Sequence, residues 1–334
     1  MFKGKKILIT GGTGSLGQAL TKRLLSMNVD TVRIFSRNES NQIQMENKFN
    51  DNRLRFLVGD IRDLERLKRA VEDVDYVFHA AALKHVPKVE YNPFEAIKTN
   101  IIGSQNVIDA CLEEGVKKVV CIGTDKAVSP LNTYGATKLL MEKLFVAANN
   151  YLDPNRHPTK FIAVRYGNVL GSSGSVVPKF IEQIKDKQKI TITDPKMTRF
   201  SITMNEALDF ILESTKLGQG SEVFVPKIRS YSIVDVKDAL QELLGKTEVE
   251  TVGIRPGEKL QEVLINEYEI DYTWEIDEKY MIVNALDKKI LEKRNYDSKI
   301  IRDENMKEYS SDKVEKISKN ELKEIIDKNL LKNI

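Results

Sequence analysis

The stretch Lys6-Ile7-Leu8-Ile9-Thr10-Gly11-Gly12-Thr13-Gly14-Ser15-Leu16-Gly17 limits what this chain can fold into more than any other. An apolar run from Ile7 to Ile9 leads into Gly11, Gly14 and Gly17, and a helical pattern follows from Gln18 to Met27. A strand that turns sharply into a helix needs this spacing. The first glycine makes the turn, the second lets backbone N–H groups approach a pyrophosphate, and the third lets the helix pack close to the strand. The positive end of the helix dipole adds to the anion site. With a strand before and a helix after, the motif predicts a dinucleotide site made by Gly11, Thr13, Gly14, Ser15, Leu16 and Gly17.

Apolar runs of strand type recur at 31–35, 55–58, 76–79 and 118–122, with helices expected at 64–73 and 93–114. This alternation predicts an α/β protein, a doubly wound parallel sheet of Rossmann type covered by helices on both faces. NAD-selective sheets carry an acidic residue after the second strand, to bond the ribose 2′-hydroxyl. Here Ser36 and Arg37 offer a hydroxyl and a guanidinium suited to a 2′-phosphate, so NADP is expected in preference to NAD. Asp60, followed by Ile61, is placed to accept from the adenine amino group or to cap the next helix. The small residues Ala80, Ala81 and Ala82 would let the backbone lie along the cofactor. Lys84 and His85 follow at the carboxyl edge of the sheet, where ligands of such folds bind. His85 has no second histidine or carboxylate at ligand spacing, so no metal site is expected.

Composition narrows the partners. The balance of 52 basic to 49 acidic side chains, a net charge of +3, is too small for a nucleic-acid footprint. Cys111 and Cys121 both lie in apolar runs, which argues for a reducing compartment without disulfides. No apolar run approaches the roughly 18 residues that span a bilayer. The first strand begins too close to Met1 for a signal peptide, so a cytoplasmic protein without membrane insertion is expected.

The NADP-binding domain is expected over 1–165, with returns from the second half, and a smaller C-terminal substrate-binding lobe over 166–286. That lobe takes in a glycine-serine loop at 167–175, helices at 176–187, 205–217 and 233–244, and strands at 190–193 and 221–225. A charged tail runs over 287–334, with helical spacing at 318–333.

Tyr134 and Lys138 stand at i and i+4, so on a helix they share a face. A phenol near pKa 10 is a poor base at neutral pH. An ammonium and a nicotinamide cation beside it favour phenolate, which can take a hydroxyl proton as hydride leaves the same carbon. Thr124, at the end of the fifth strand, is placed to hydrogen-bond the same oxygen.

The glycine pattern, Asp60, Ala80-Ala81-Ala82, Thr124, Tyr134 and Lys138 resemble the extended short-chain dehydrogenase/reductase superfamily. More narrowly, the chain resembles the inverting UDP-N-acetylglucosamine 4,6-dehydratases that start pseudaminic acid synthesis. The matching segments are Ala81-Ala82-Leu83-Lys84-His85-Val86-Pro87, Thr124-Asp125-Lys126-Ala127, Tyr134-Gly135-Ala136-Thr137-Lys138 and Arg165-Tyr166-Gly167-Asn168-Val169. Further matches are Gly174-Ser175-Val176-Val177-Pro178, Met197-Thr198-Arg199-Phe200 and Arg255-Pro256-Gly257-Glu258-Lys259.

The resemblance implies that Tyr134, with Lys138 and Thr124, removes the C4 hydroxyl proton while hydride passes to a tightly bound NADP, which is regenerated each cycle. It implies Lys126 as the base at C5 and Asp125 as the acid at the departing C6 hydroxyl. Reprotonation of C5 from the opposite face would give the inverted 4-keto-6-deoxy sugar. Lys84 and Tyr134 with Lys138 would also touch the cofactor. Lys84, His85, Asn168, Val176, Arg199, Arg255 and Glu258 would surround the UDP-sugar, with Arg199 and Arg255 on its diphosphate. A homo-oligomer, hexamer or dimer, is implied too. One position departs from the family: Ser173 stands in the glycine-serine loop where an arginine is common.

Three rivals share parts of this pattern. A sugar-nucleotide 4-epimerase has the Tyr-Lys pair but no use for Asp125-Lys126. A dehydratase that retains C5 configuration often has methionine at the tyrosine position. A non-catalytic NADP sensor commonly loses the tyrosine or the lysine, and here both stand.

Overall fold

The computed structural model describes residues 1–151, 157–172, 175–283, 294, 296, 299–303 and 305–329. Its first half is β1 (Lys6–Thr10), α1 (Ser15–Ser26), β2 (Thr31–Ser36), α2 (Glu39–Phe49), β3 (Leu54–Val58), α3 (Leu64–Val71) and β4 (Tyr76–His79). Then come α4 (Val86–Tyr91), α5 (Pro93–Ala96), α6 (Gly103–Glu113), β5 (Lys118–Ile122) and α7 (Thr133–Ala148). The second half has β6 (Lys160–Val164), β7 (Asn168–Val169), α8 (Val176–Lys185), β8 (Ile190–Ile192), β9 (Thr198–Ile202), α9 (Met204–Leu217) and β10 (Val223–Pro226). It continues with β11 (Ser230–Ser232), α10 (Ile233–Leu244), β12 (Val249–Thr251), β13 (Val263–Ile265), β14 (Thr273–Ile276) and β15 (Lys279–Ile282). Last are β16 (Ile300–Ile301), β17 (Tyr309–Ser310) and α11 (Lys319–Asn329).

The main sheet has the order β16-β14-β15-β10-β6-β5-β4-β1-β2-β3. From β3 across to β10 every pair is parallel, and β15, β14 and β16 add an antiparallel edge. The order reverses between β1 and β4, which is the switch point where ligands of such sheets bind. Alternate side chains explain the double winding. Ile7, Ile9, Val32, Ile34, Phe78 and Val120 pack with Leu20 and Leu24 of α1 and Leu208 and Ile211 of α9. Leu8, Phe35, Val77, Val119 and Cys121 pack on the other face with Leu67 of α3, Cys111 of α6 and Phe145 of α7. With both faces covered, the strands read as unbroken apolar runs.

A third core lies apart from the two that cover the main sheet. Val177 and Phe180 of α8, Val236 and Leu240 of α10, and Leu322 and Ile326 of α11 share it. The helical spacing at the C-terminus therefore becomes a helix docked on this core, ending at Asn329 within the described residues. The start of the charged tail, at 287–293, lies outside the described residues, as do Ser173 and Gly174.

Two local expectations need correction, and the structure adds one helix that the sequence reading did not place. The helix expected over 93–114 is interrupted by a π-helical stretch at Ile97–Ile102, which turns Asn100 inward to full burial. Such insertions are hidden from a 3.6-residue pattern. The residues after strand two form the helix α2, capped by Asn38, whose side chain accepts from the Asn41 N–H. Asp60 does not cap α3. That cap is Asp63, which accepts from the Arg66 N–H at 3.0 Å.

One buried ion cluster joins α7 to the second half. Arg165, 1% exposed, donates twice to Glu142 of α7 at 2.6 Å and twice to Glu269 at 2.9 and 2.7 Å. Its Nη1 also reaches the Leu264 carbonyl at 3.0 Å. Removing one member of such a cluster leaves buried charge without a partner. Arg165→Met is expected to destabilise the fold by about 3–5 kcal/mol, measured by denaturant unfolding. A loss below about 1 kcal/mol, the scale of an exposed pair, would contradict this account.

Candidate active site

The glycine turn closes against the end of β4. Gly11 has φ +67°, and a Cβ there would lie 2.9 Å from the Ala81 backbone. A Cβ on Gly17 would lie 2.4 Å from the Gly12 carbonyl oxygen, so only glycine lets α1 start this close to the turn. No side chain caps α1 at Gly14, and Thr13, Ser15 and Leu16 line the same turn. This is a cradle shaped for a phosphate, and it fits a dinucleotide at the switch point. Thr10 Oγ1 accepts from the Ala81 N–H at 3.3 Å, and Ala80 and Ala82 continue the half-buried strip.

After β3, Asp60 accepts from the Arg62 side chain at 3.0 and 2.7 Å and from its N–H at 3.0 Å. Burial opposes the charge, but Arg62 outweighs it and holds the carboxyl below its usual range. Arg37 is exposed and stands 3.8 Å from Asp60. Ser36 accepts from Gln42 through both hydroxyl and carbonyl, each at 3.0 Å. Ile61 is buried, and its carbonyl accepts from Asn106.

The chemical cluster is assembled at the ends of β5 and β6. Asp125 begins a tight turn after Thr124 and is fully buried, its N–H donating to the Tyr166 carbonyl at 3.2 Å. The Thr124 hydroxyl donates to Asp125 Oδ1 at 2.9 Å. Lys126 Nζ lies 3.0 Å from Asp125 Oδ1, 3.3 Å from Asn168 Oδ1 and 3.5 Å from Glu262 Oε1. Burial alone would lower the lysine, but Asp125 and Glu262 outweigh it and hold the ammonium above the ordinary lysine range. Helix α7 then brings Tyr134 alongside. Asn132 caps this helix by accepting from the Gly135 N–H, and its amide donates to the Gly257 carbonyl, both at 2.8 Å.

Tyr134 is nine-tenths buried, and burial pushes its phenol upward. Lys126 pulls the other way, aided by a hydrogen bond with Thr124. Lys138, buried and lowered to about 8 by that burial, donates to the Ile122 carbonyl at 2.6 Å.

The expected substrate residues divide. Lys84 and His85 are exposed just ahead of α4, His85 at its N-cap position. Asn168 faces Lys126, Val176 opens α8 half-buried, and Arg255 is exposed, its Nη1 4.0 Å from Glu258. Arg199 is held by the protein itself. Its guanidinium donates to the carbonyls of Thr198 at 2.7 Å, Lys259 at 2.9 Å and Leu260 at 3.1 Å, and its Nε stands 3.6 Å from Glu262.

Three residues escaped the sequence reading. Asn100 accepts from the Leu83 N–H at 2.7 Å and donates to the Leu83 carbonyl and the Thr137 hydroxyl, joining the loop to α7. His79 lies between Thr10 Oγ1 at 2.8 Å and Ser104 Oγ at 2.9 Å, stacked on Phe145. Glu262 follows the Arg-Pro-Gly-Glu-Lys segment at i+4 from Glu258, and its burial is the feature no spacing reports.

A Rossmann-type sheet with a Thr-Asp-Lys turn and a Tyr-Lys helix beside its switch point is the architecture of a short-chain dehydrogenase/reductase. The chain belongs to the family described as polysaccharide biosynthesis protein, whose model matches residues 7–285. It is similar to a UDP-N-acetylglucosamine 4,6-dehydratase (inverting) of Campylobacter jejuni, 50% identical over 284 residues and covering 84% of each chain. It is also similar to a UDP-glucose 4-epimerase of Rickettsia typhi, 39% identical over 98% of this chain and 96% of that one. Among solved structures, Pen from Bacillus thuringiensis superposes with a TM-score of 0.91 at 41% identity over 99% of both chains. The resemblance drawn from the motifs is thus borne out at the level of family. Among the described residues no helix is long and apolar enough to cross a membrane.

The buried His79 makes a testable statement about pH. Burial, with a smaller push from Lys138, lowers it from 6.5 to about 3. A group with a depressed histidine pKa binds fewer protons folded than unfolded, so its contribution is full above 6.5 and is lost as pH falls. The expected slope is about 1.4 kcal/mol per pH unit below that point. Unfolding free energies of wild type and His79→Gln across the acid range should diverge in slope. Equal slopes would mean that His79 takes up its proton in the folded state.

Proposed function

We propose that this protein dehydrates UDP-N-acetylglucosamine across C5 and C6 with inversion at C5, giving a UDP-4-keto-6-deoxy-L-hexosamine for pseudaminic acid or other surface-glycan synthesis. The observation that carries the reading is the Asp125–Lys126 pair, 3.0 Å apart beside Thr124 and Tyr134. An elimination needs an acid and a base a few ångström apart. A nicotinamide cofactor, NADP in this reading, would be held at the Gly11–Gly17 turn, and it would supply a hydride acceptor for C4 and a hydride donor for C6.

The side chains do the rest. Tyr134, with Thr124 on its hydroxyl, takes the C4 hydroxyl proton, and the resulting ketone acidifies C5–H. Moving one proton from Lys126 to Asp125 along their hydrogen bond converts the ion pair into an amine and a carboxylic acid. The amine of Lys126 then takes the C5 proton, and the C–H electron pair forms the C5=C6 bond. The C6–O bond breaks as Asp125 protonates the oxygen, and water leaves. A proton delivered to the other face of C5 completes the inversion. The burial of Asp125 lowers the cost of forming the neutral pair, while Asp125 and Glu262 keep the resting lysine an ammonium. Lys84, His85, Asn168 and Arg255 are the substrate contacts in this reading, and the cytoplasm is where its nucleotide-sugar substrate would be met.

The likeness to a 4-epimerase supplies a second reading, and one experiment separates them. Incubation with UDP-N-acetylglucosamine in deuterated water should place deuterium at C5 and release water. A C4-inverted sugar without deuterium would mark the epimerase. Lys126→Met should lower C5 exchange by about 10²–10⁴-fold while cofactor still binds, and exchange at the wild-type rate would remove Lys126 from the role.

Cofactor choice gives a separate test. Arg37, exposed at the end of β2, is the proposed partner of the 2′-phosphate. Arg37→Ala should weaken NADP by about 1–3 kcal/mol and NAD far less, by titration calorimetry. Equal weakening of both would show that Arg37 stacks on the adenine.

A further inference from the structure

Lys126 has three N–H directions, and three protein oxygens face them. Asp125 Oδ1 is at 3.0 Å, Asn168 Oδ1 at 3.3 Å and Glu262 Oε1 at 3.5 Å. A base at C5 needs a lone pair in one of those directions. Asp125 must stay close, since it passes a proton to the leaving oxygen, and Asn168 carries no charge. Glu262 is different. It is 3% exposed, its Oε2 is buried without a hydrogen-bond partner, and its contact with Lys126 is the longest of the three. Its backbone N–H is anchored to Ser311 Oγ at 2.9 Å, which in turn meets Thr198 Oγ1 at 2.7 Å. The backbone that carries this carboxylate is therefore anchored from within, and the side chain is buried and not a surface group.

We propose that Glu262 is a positioning residue that decides when Lys126 can act as a base, with Arg199 as its counter-charge. The proposal rests on the reading of Lys126 as the C5 base. Two carboxylates, Asp125 and Glu262, stand among three cations, Lys126, Arg199 and Lys259. The ammonium of Lys126 is held by both carboxylates, and without Glu262 only Asp125 would offset the surrounding positive charge. Passing the proton to Asp125 leaves the neutral pair beside the intact Glu262–Arg199 pair, so Glu262 keeps its counter-charge. Glu262 thereby holds the proton within the site: it discourages an idle amine and permits transfer to the residue that must donate it. The other titratable groups facing Lys126 are Tyr134 from α7, Tyr231 from β11 and Lys259 from the loop before β13.

Glu262→Gln keeps the shape, removes the negative charge and leaves Arg199 uncompensated, so Lys126 gives up its proton more easily. C5 deuterium exchange by the cofactor-loaded enzyme, followed by NMR from the acid to the alkaline range, should have its rising limb moved to lower pH by about 1–3 units. Glu262→Asp keeps the charge and should keep the limb near its wild-type position, any packing loss appearing as lower amplitude. Arg199→Gln removes the opposite charge and should move the limb upward, which keeps the proposal testable if the first variant does not fold. An unshifted limb of reduced height in Glu262→Gln would overturn the proposal, as would equal shifts in the Gln and Asp variants. If Lys126→Met retained wild-type exchange, the base assignment itself would fail. A silent Lys126→Met with an unshifted Glu262→Gln would sink the role of Glu262 alone.

Discussion

The site depends on one close approach. A Cβ on Gly135 would lie 2.3 Å from the Lys126 carbonyl oxygen and 2.9 Å from Pro130, so α7 meets the Asp125–Ala127 turn at a distance no other residue permits. That contact sets a phenol on a helix beside an acid and an ammonium on a turn after a strand. The residue following the tyrosine is thus a geometric necessity. Without it, either the helix would move out or the turn would open, and Tyr134 would lose Thr124 and Lys126 together.

A second constraint joins the cofactor side of the sheet to this helix. Thr10 at the end of β1 meets His79 at the end of β4, His79 meets Ser104 on α6, and Ser104 donates to the Asn100 carbonyl at 2.7 Å. Asn100 continues to Leu83 and to Thr137 on α7. The chain of contacts is buried, and buried polar groups are costly when left unpaired. The π-helical stretch makes it possible by turning Asn100 inward without ending the helix. The strand ends, the loop carrying Lys84 and the catalytic helix are in this way held to one another by side chains that do no chemistry in the proposed reaction.

Local spacing made much of this visible before the structure. The glycine turn, the strand-helix alternation and the Tyr-x-x-x-Lys pair are all encoded within a few residues, where geometry follows directly from dihedral preference and helical pitch. What stayed hidden depends on distant segments. Glu262 reaches Lys126 only because β13 lies beside the turn after β5, and Arg199 turns inward because Lys259 and Leu260 offer carbonyls there. Asp60 read equally as a cap or a cofactor contact, and Asp63 was the better cap because its carboxylate meets the Arg66 N–H. Asn100 was invisible for another reason: a π turn changes which side of a helix a residue faces.

The two buried ion clusters separate structure from chemistry. Around Arg165, both carboxylates are engaged by paired donors, and the remaining guanidinium edge meets a carbonyl. Nothing there is left to react, and the cluster fastens α7 to the second half of the chain. Around Lys126, by contrast, Asp125 Oδ2 and Glu262 Oε2 are both buried without hydrogen-bond partners. Each orphaned oxygen carries a desolvation cost of about 1–3 kcal/mol or more for a charged group. A fold that satisfies one cluster fully and leaves the other incomplete in two places has not failed to optimise the second. In the proposed reaction, that incompleteness would let a proton change owner between Lys126 and Asp125 without breaking a saturated network. That mobility is what an acid–base pair requires and what a structural ion pair excludes.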